Sequence, residues 1–193
     1  MNFKEAWNIS NNIPGWLSEI DAKILWHFCS KSQGPILEVG SFLGKSSVLL
    51  SCLGDVTCID PWVAGQKFEN CIRSKVPQKL NNFDFLELFE HYTKKTPFAN
   101  RIKTIRAFDY EVFPYWKTKI GFLFLDHLHS KKSVENSLLG WKPNLMKGAK
   151  ILVHDANIKE VMEGIRCVEI KIEQLYKESE FMPALCSWPK IHM

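Results

Sequence analysis

Short apolar runs alternate along the chain with longer amphipathic stretches. Between Ser18 and Ser30 the residues Ile20, Ile24, Leu25 and Phe28 recur at helical spacing, and Ser18 with Asp21 three places on resembles a capping box. This predicts a first helix, which Gln33-Gly34-Pro35 breaks. Ile36-Leu37-Glu38-Val39 then reads as a buried strand running into a glycine-bearing turn, Gly40-Ser41-Phe42-Leu43-Gly44. Lys45 to Leu53 returns to helical periodicity with Gly54 as the expected C-cap, and Val56 to Ile59 makes a second strand that ends at Asp60. The sum is a βαβ unit.

A mostly polar passage follows Asp60-Pro61-Trp62, with one helix expected over Phe85 to Tyr92, a third strand over Ile102 to Ile105, and a short helix or turn over Glu111 to Trp116. Ile120 to Leu125 is almost wholly apolar, as a central parallel strand covered on both faces requires, and stops at Asp126. Val134, Leu138, Trp141 and Leu145 line one face of the next helix, which Gly148 is expected to close, and Ile151-Leu152-Val153 runs into His154-Asp155. The remainder reads as one amphipathic helix from about Ile158 to Ser179 and an apolar run, Phe181 to Trp188, that suits an edge strand because Pro183 has no amide hydrogen to give. Strands alternating with helices predict the α/β class: a doubly wound, mostly parallel Rossmann-like sheet with helices on both faces, in one domain spanning 1–193. Residues 1–32 form an N-terminal helical segment. In such a sheet ligands sit beyond the carboxyl ends of the strands.

Composition agrees with one domain, since 193 residues with 46% hydrophobic and 24% charged positions can bury a full core. The net charge of +4 is scattered along the chain, so nucleic acid is not an expected partner. Cys29, Cys52, Cys58, Cys71, Cys167 and Cys186 show no metal-type spacing and read as reduced thiols. The amino terminus lacks the apolar core of a signal peptide, and no stretch nears the roughly 20 residues of a membrane span, so no membrane association and a cytoplasmic location are expected.

The chemistry-bearing residues gather at the predicted strand ends. Gly40 and Gly44 let a ligand approach backbone N–H groups where a helix begins. Phe42 and Lys45 depart from the GxGxxG dinucleotide pattern, which disfavours a pyrophosphate cradle and a nicotinamide oxidoreductase. Asp60 can accept from both hydroxyls of a ribose, so a nucleoside site is the better reading. Asp126 and Asp155 end strands expected to be neighbours, and two converging carboxylates call for a cation such as Mg²⁺ or another hard divalent ion.

These features resemble the class I S-adenosylmethionine-dependent methyltransferases. Trp16 through Leu49, Ile59-Asp60-Pro61-Trp62 and Phe122 through Asp155 are similar to the small-molecule O-methyltransferase subfamily (methyltransferase family 24-like), with its D-x-x-H-S segment and terminal H-D. The resemblance implies that Glu38, Gly40, Ser41 and Gly44 surround the methionine part of S-adenosyl-L-methionine and that Ser46 receives its carboxylate. It implies that Asp60 holds the ribose, that Pro61 and Trp62 flank the adenine, that Phe108 and Asp109 lie where the adenine amino group is bonded, and that Asp126 also borders the cofactor. His129, three residues beyond Asp126, stands where the family places a general base. Asp126 and Asp155 would hold the metal. The family's third oxygen ligand is Ala156 here, so Asn157 or His154 must substitute, and Asn157 is the expected donor. The family commonly has Asp where Ser137 stands. His127 is expected to bond locally, and His27 and His91 are given no role.

The implied activity is methyl transfer to a hydroxyl of a small molecule, a sugar, polyol or phenolic, with residues 61–100 shaping the acceptor pocket and a second copy of the chain a candidate partner. A catalytically degenerate binding protein on the same fold is the alternative.

Overall fold

The computed structural model describes residues 1–63, 74, 76–80, 83–168, 171–174 and 184–187. Cys71, Pro183, Trp188 and part of the 61–100 passage lie outside them. The elements are helices α1 (Phe3–Ser10), α2 (Glu19–Cys29), α3 (Lys45–Ser51), α4 (Phe85–Thr93), α5 (Asp109–Val112), α6 (Lys131–Trp141) and α7 (Lys159–Arg166). The strands are β1 (Ile36–Val39), β2 (Val56–Asp60), β3 (Ile102–Arg106), β4 (Ile120–Leu125), β5 (Leu145–Val153), β6 (Lys171–Gln174) and β7 (Ala184–Ser187). Among the described residues they form one sheet of order β3-β2-β1-β4-β5-β7-β6. β1 to β5 run parallel, whereas β7 is antiparallel to both β5 and β6. The strand order reverses between β1 and β4, the crevice where doubly wound sheets bind ligands.

Every residue of β1 and of β4 is buried, which explains the apolar run of β4 and the apolar residues that flank Glu38 in β1. Core forms on both faces. Trp7, Leu25, Leu49 and Phe89 pack with Phe122 and Phe124 on one side; Leu138, Trp141 and Ile165 pack with Leu123 and Leu125 on the other.

The structure departs from the sequence reading in five places. A helix, α1, precedes the one expected first; Asn2 caps it, with Glu5 reaching back to complete the capping box. On α2 the buried face is Asp21, Ala22, Ile24, Leu25 and Cys29, while Ile20 is exposed, so a carboxylate occupies the inward phase. Leu145 and Gly148 belong to β5 and not to the preceding helix: two residues of β4, Ile120 and Phe122, face Leu145 and Lys150, and the surplus residues bulge through Gly148, whose φ of +80° a side chain would resist. Finally, α7 ends at Arg166, Lys171–Gln174 is a strand, and β7 lies inside the sheet with β6 at its edge. Gly54 does not cap α3 in a left-handed turn; Cys52, in ordinary helical geometry, ends it.

Trp141 sits at the centre of the second core, fully buried, with Phe113 and Trp116 edge-on to it at 5.8 and 5.4 Å. Trp141→Ala should cost about 3–5 kcal/mol of unfolding free energy. Urea titration of the two proteins measures it, and a loss below about 1 kcal/mol would contradict this packing.

Candidate active site

Parallel pairing places Val39 level with Ile59 on one side and with Leu125 on the other, and Leu125 level with Val153. The ladder then continues one residue past the strands: Gly40 N–H donates to Ile59 O (2.9 Å), Asp126 N–H to Val39 O (2.8 Å) and His154 N–H to Leu125 O (2.9 Å). Asp60, Gly40, Asp126 and His154 therefore form one row across the carboxyl edge of the sheet. Gly40 is obligatory in that row, since with φ +89° a Cβ there would lie 1.8 Å from the carbonyl oxygen of Asp126. The glycine turn and the D-x-x-H segment thus touch through their backbones.

Asp60 ties the turn down. Its Oδ2 accepts from Ser41 N–H and Phe42 N–H, both at 2.9 Å, and its Oδ1 from Trp62 N–H at 2.6 Å. Burial raises the carboxyl's pKa, the three amides pull it back, and the nearby charge of Asp126 adds to the rise. A carboxylate offers about four acceptor positions. Three are used here, so Asp60 retains limited capacity for a ribose. Trp62 is buried in this conformation: its indole N–H donates to Phe42 O (2.7 Å) and its ring meets Phe89 edge-on. Of the pair expected beside an adenine, Pro61 alone is partly exposed. Trp16 and Phe85 pack against Phe42 from either side, at 5.5 and 5.9 Å.

Beneath the turn Glu38 is wholly buried. Ser47 Oγ and Cys58 Sγ donate to its Oε2, and the Ser41 and Ser46 hydroxyls adjoin it. Burial raises its pKa against these bonds. Ser46 stands in the first turn of α3, and Gly44, at the N-cap, presses against Thr93 and Phe89 of α4.

At the other end of the row Asp126, His154 and Asp155 each offer a ligand atom, all within 4.8 Å of one another. His154 Nδ1 lies 3.4 Å from Asp126 Oδ1 and 3.3 Å from Asp155 Oδ2, and His129 Nε2 lies 2.7 Å from the same Asp155 oxygen. Asp155 holds φ +56°, a left-handed conformation uncommon outside glycine. Burial disfavours a proton on His154, yet Asp126, then Asp155 and Asp21, override it and raise its pKa. Burial also opposes ionisation of Asp155, but His129 and His154 hold its pKa well below the carboxylate range. His129 is raised above its ordinary value, chiefly by the bond it donates to Asp155. Asn157 is exposed in the turn after Asp155, and His154 is brought to the two carboxylates.

Asp109 is engaged elsewhere than at an open adenine position. Its Oδ2 accepts from Ser137 Oγ at 2.5 Å and from Trp141 Nε1 at 3.3 Å, and His127 Nε2 lies 2.8 Å from Ser137 Oγ. Ser137 spends its one proton on Asp109, so it accepts from Nε2–H of His127, whose Nδ1 lies 3.3 Å from both Ser133 Oγ and Leu128 O. Burial lowers the pKa of His127. The local bonding expected of His127 is present. Phe108 stacks on Tyr110 at 5.2 Å on the outer surface of the same edge.

Sequence reasoning missed Asp21, Ser47 and Cys58 as neighbours of the site. Asp21 carried a usable signal, being a charge in phase with Ile24 and Leu25 on α2. The Asp109–Ser137 bond, 28 positions apart, carried none.

A row of strand-end residues beside a glycine turn, at the switch point of a sheet ordered 3-2-1-4-5-7-6, defines a class I methyltransferase, an enzyme that uses S-adenosylmethionine. A family model described as a methyltransferase domain matches residues 37–156, and the chain belongs to that family. Solved structures agree in fold. A putative O-methyltransferase from Klebsiella pneumoniae is 10% identical with TM-score 0.66, covering 97% of this chain and 89% of its own. The Streptomyces achromogenes O-methyltransferase TomG, involved in tomaymycin synthesis and solved with S-adenosylmethionine, is 15% identical with TM-score 0.64, covering 95% and 87%. The TDP-rhamnose 3'-O-methyltransferase of calicheamicin biosynthesis is 14% identical with TM-score 0.60, covering 96% and 92%. No described helix is long and apolar enough to cross a membrane.

The pair His129–Asp155 sets a pH window. A raised imidazole contributes stability that is complete below its ordinary 6.5 and is lost as pH climbs through the folded value; a lowered carboxyl contributes above its ordinary 3.8 and is lost as pH falls through the folded value. In chelator-treated protein the pair should contribute most between pH 3.8 and 6.5, by about 1 kcal/mol or less because His129 is half-exposed. Asp155→Asn should return the NMR titration of His129 towards 6.5; an unmoved titration would dissolve the ion pair.

Proposed function

We propose that this methyltransferase transfers the methyl group to a hydroxyl oxygen of a small molecule, with Asp126 and Asp155 holding a divalent ion and His129 as general base. The observation that carries this reading is the direct contact between Gly40 of the cofactor turn and Asp126 of the acidic cluster. It supports a methyl donor over the turn and an acceptor hydroxyl over the cluster as neighbours.

Methyl transfer from a sulfonium to an oxygen is an in-line displacement, so the chain's work is alignment and removal of one proton. A divalent ion, when bound, would increase the acidity of the hydroxyl it touches. The donor set fits such an ion: two carboxylates and an imidazole, converging within 4.8 Å. His129 Nε2 must be unprotonated to take the hydroxyl proton, and its bond to Asp155 fixes where that nitrogen points. Glu38 with its ring of hydroxyls, and Ser46 on α3, form the polar floor of the turn on which the methionine part would rest.

Val63, Tyr110 and Leu128 follow β2, β3 and β4 respectively and are all exposed. This apolar rim favours a phenolic over a sugar among hydroxyl acceptors. A binding protein without turnover is favoured by one fact, that Asp60 and Asp109 already accept hydrogen bonds from within the protein.

Calorimetric titration with S-adenosylmethionine followed by turnover assays on phenolic acceptors separates the two. His129→Gln should retain cofactor affinity within about twofold while lowering kcat by about 10²–10⁴-fold. In the parent protein kcat should rise with pH through the raised value of His129, above 6.5. Cofactor binding with no turnover on any hydroxyl acceptor would establish the binding protein, and activity unchanged by exhaustive chelation would remove the metal.

A further inference from the structure

We propose that His154 is a nitrogen ligand of the divalent ion held by Asp126 and Asp155, that Asp21 of α2 orients it from behind, and that the site therefore selects a transition ion such as Mn²⁺ over Mg²⁺. The proposal rests on the metal-assisted reading above and fixes its third ligand.

The distances suit direct ligation. Nδ1 of His154 stands 3.4 Å from Asp126 Oδ1 and 3.3 Å from Asp155 Oδ2. Ligand bonds of about 2.1 Å give edges of roughly 3.0 Å between neighbouring donors in an octahedron and roughly 3.4 Å in a tetrahedron. The two edges that run from Nδ1 lie in that interval, and all three ligand atoms lie within 4.8 Å of one another, which suits an ion between them. Asp155, turned into the site by its left-handed backbone, shares Oδ2 with His129 Nε2 at 2.7 Å, and that oxygen has a second lone pair.

His154 is also held in place. It is 5% exposed, its backbone N–H continues the β4–β5 ladder, and Phe124 meets its ring edge-on at 6.2 Å. Nε2, the nitrogen pointing away from the cluster, faces Asp21 Oδ2 at 3.9 Å. Asp21 is 2% exposed; Ser18 Oγ donates to its Oδ2, and its Oδ1 has no hydrogen-bond partner among the described residues. A carboxylate buried behind an imidazole and with acceptor capacity to spare is the arrangement that fixes the tautomer of a ligating histidine and strengthens it as a donor. Ala156, buried and without a donor, offers no competing ligand directly after Asp155.

The donor chemistry then decides the ion. Mg²⁺ prefers an all-oxygen octahedron and sheds water reluctantly, whereas imidazole with carboxylates suits first-row transition ions. Any proton on Nδ1 leaves to solvent as the ion takes its place.

The test uses Mn²⁺ alone with the metal-stripped full chain. Electron paramagnetic resonance counts the bound ion, and electron spin-echo modulation detects a directly bonded ¹⁴N. The proposal expects one Mn²⁺ with coupling to one imidazole nitrogen, and Mg²⁺ displacing it only at concentrations at least about tenfold higher than Mn²⁺ itself. His154→Gln should abolish the coupling and weaken Mn²⁺ at least about tenfold, and Asp21→Asn should keep the coupling while weakening Mn²⁺ by about 10–100-fold. The wild-type coupling stands whether or not either variant folds. Bound Mn²⁺ without nitrogen coupling would overturn the assignment of His154 and leave the metal reading intact, as would coupling lost in His129→Gln but kept in His154→Gln. Failure of any Mn²⁺ to bind would remove the metal reading, and this proposal with it.

Discussion

Everything at the functional edge depends on the register of four parallel strands. Because β2, β1, β4 and β5 pair in step and stop together, residues far apart in the chain, Asp60, Gly40, Asp126 and His154, arrive on one line. A shift of one residue in any pairing would turn the affected side chain to the opposite face. Ile36–Val39 and Ile120–Leu125 are buried throughout, and Glu38 within the first of them meets its donors Ser47 and Cys58 in this register alone, so a slip would strand a buried carboxyl.

The same edge collects charge that the interior must neutralise. Asp60 is satisfied by three backbone amides, Asp109 by a hydroxyl and an indole, and Glu38 by hydroxyls and a thiol. Among the described residues none of these acids is matched by lysine or arginine. Each uses neutral donors that belong to the elements it joins, so the bonds double as braces: Asp60 locks β2 to the glycine turn, and Asp109 locks α5 to α6. Around Asp126 and Asp155 the cationic partners among the described residues are histidines, the place where the metal-assisted reading proposed above would put its ion.

Much of this was legible in the sequence because it is local. β1 and β4 begin and end where their apolar runs do, and the residues at the strand ends stand out as glycine, aspartate or histidine. What could not be read is set by distant partners. Leu145 fits a helical face as well as a strand, and only pairing with Ile120 decides between them. The stretch after Arg166 keeps an amphipathic look, yet β7 draws Lys171–Gln174 into the sheet as a strand. The α1 helix was readable from Asn2 and Glu5 but is short, and short amphipathic runs give a weak periodic signal. At the site, the glycine turn and the aspartates were identified, whereas the hydrogen bonds that engage Asp60 and Asp109 required the folded chain.

Among the described residues three that bear side chains hold left-handed backbone, Phe42, Trp62 and Asp155, and all three stand at this edge. Glycine would relieve each of about 1 kcal/mol or more of strain. Glycine at all three would remove that strain but delete the ring beside the turn, the indole that anchors it, and a carboxylate of the acidic cluster. At Trp62 the buried packing that would be lost outweighs the strain relieved. The conformational tension is thus the cost of holding these three side chains where the strands end, and it is concentrated at one end of the sheet.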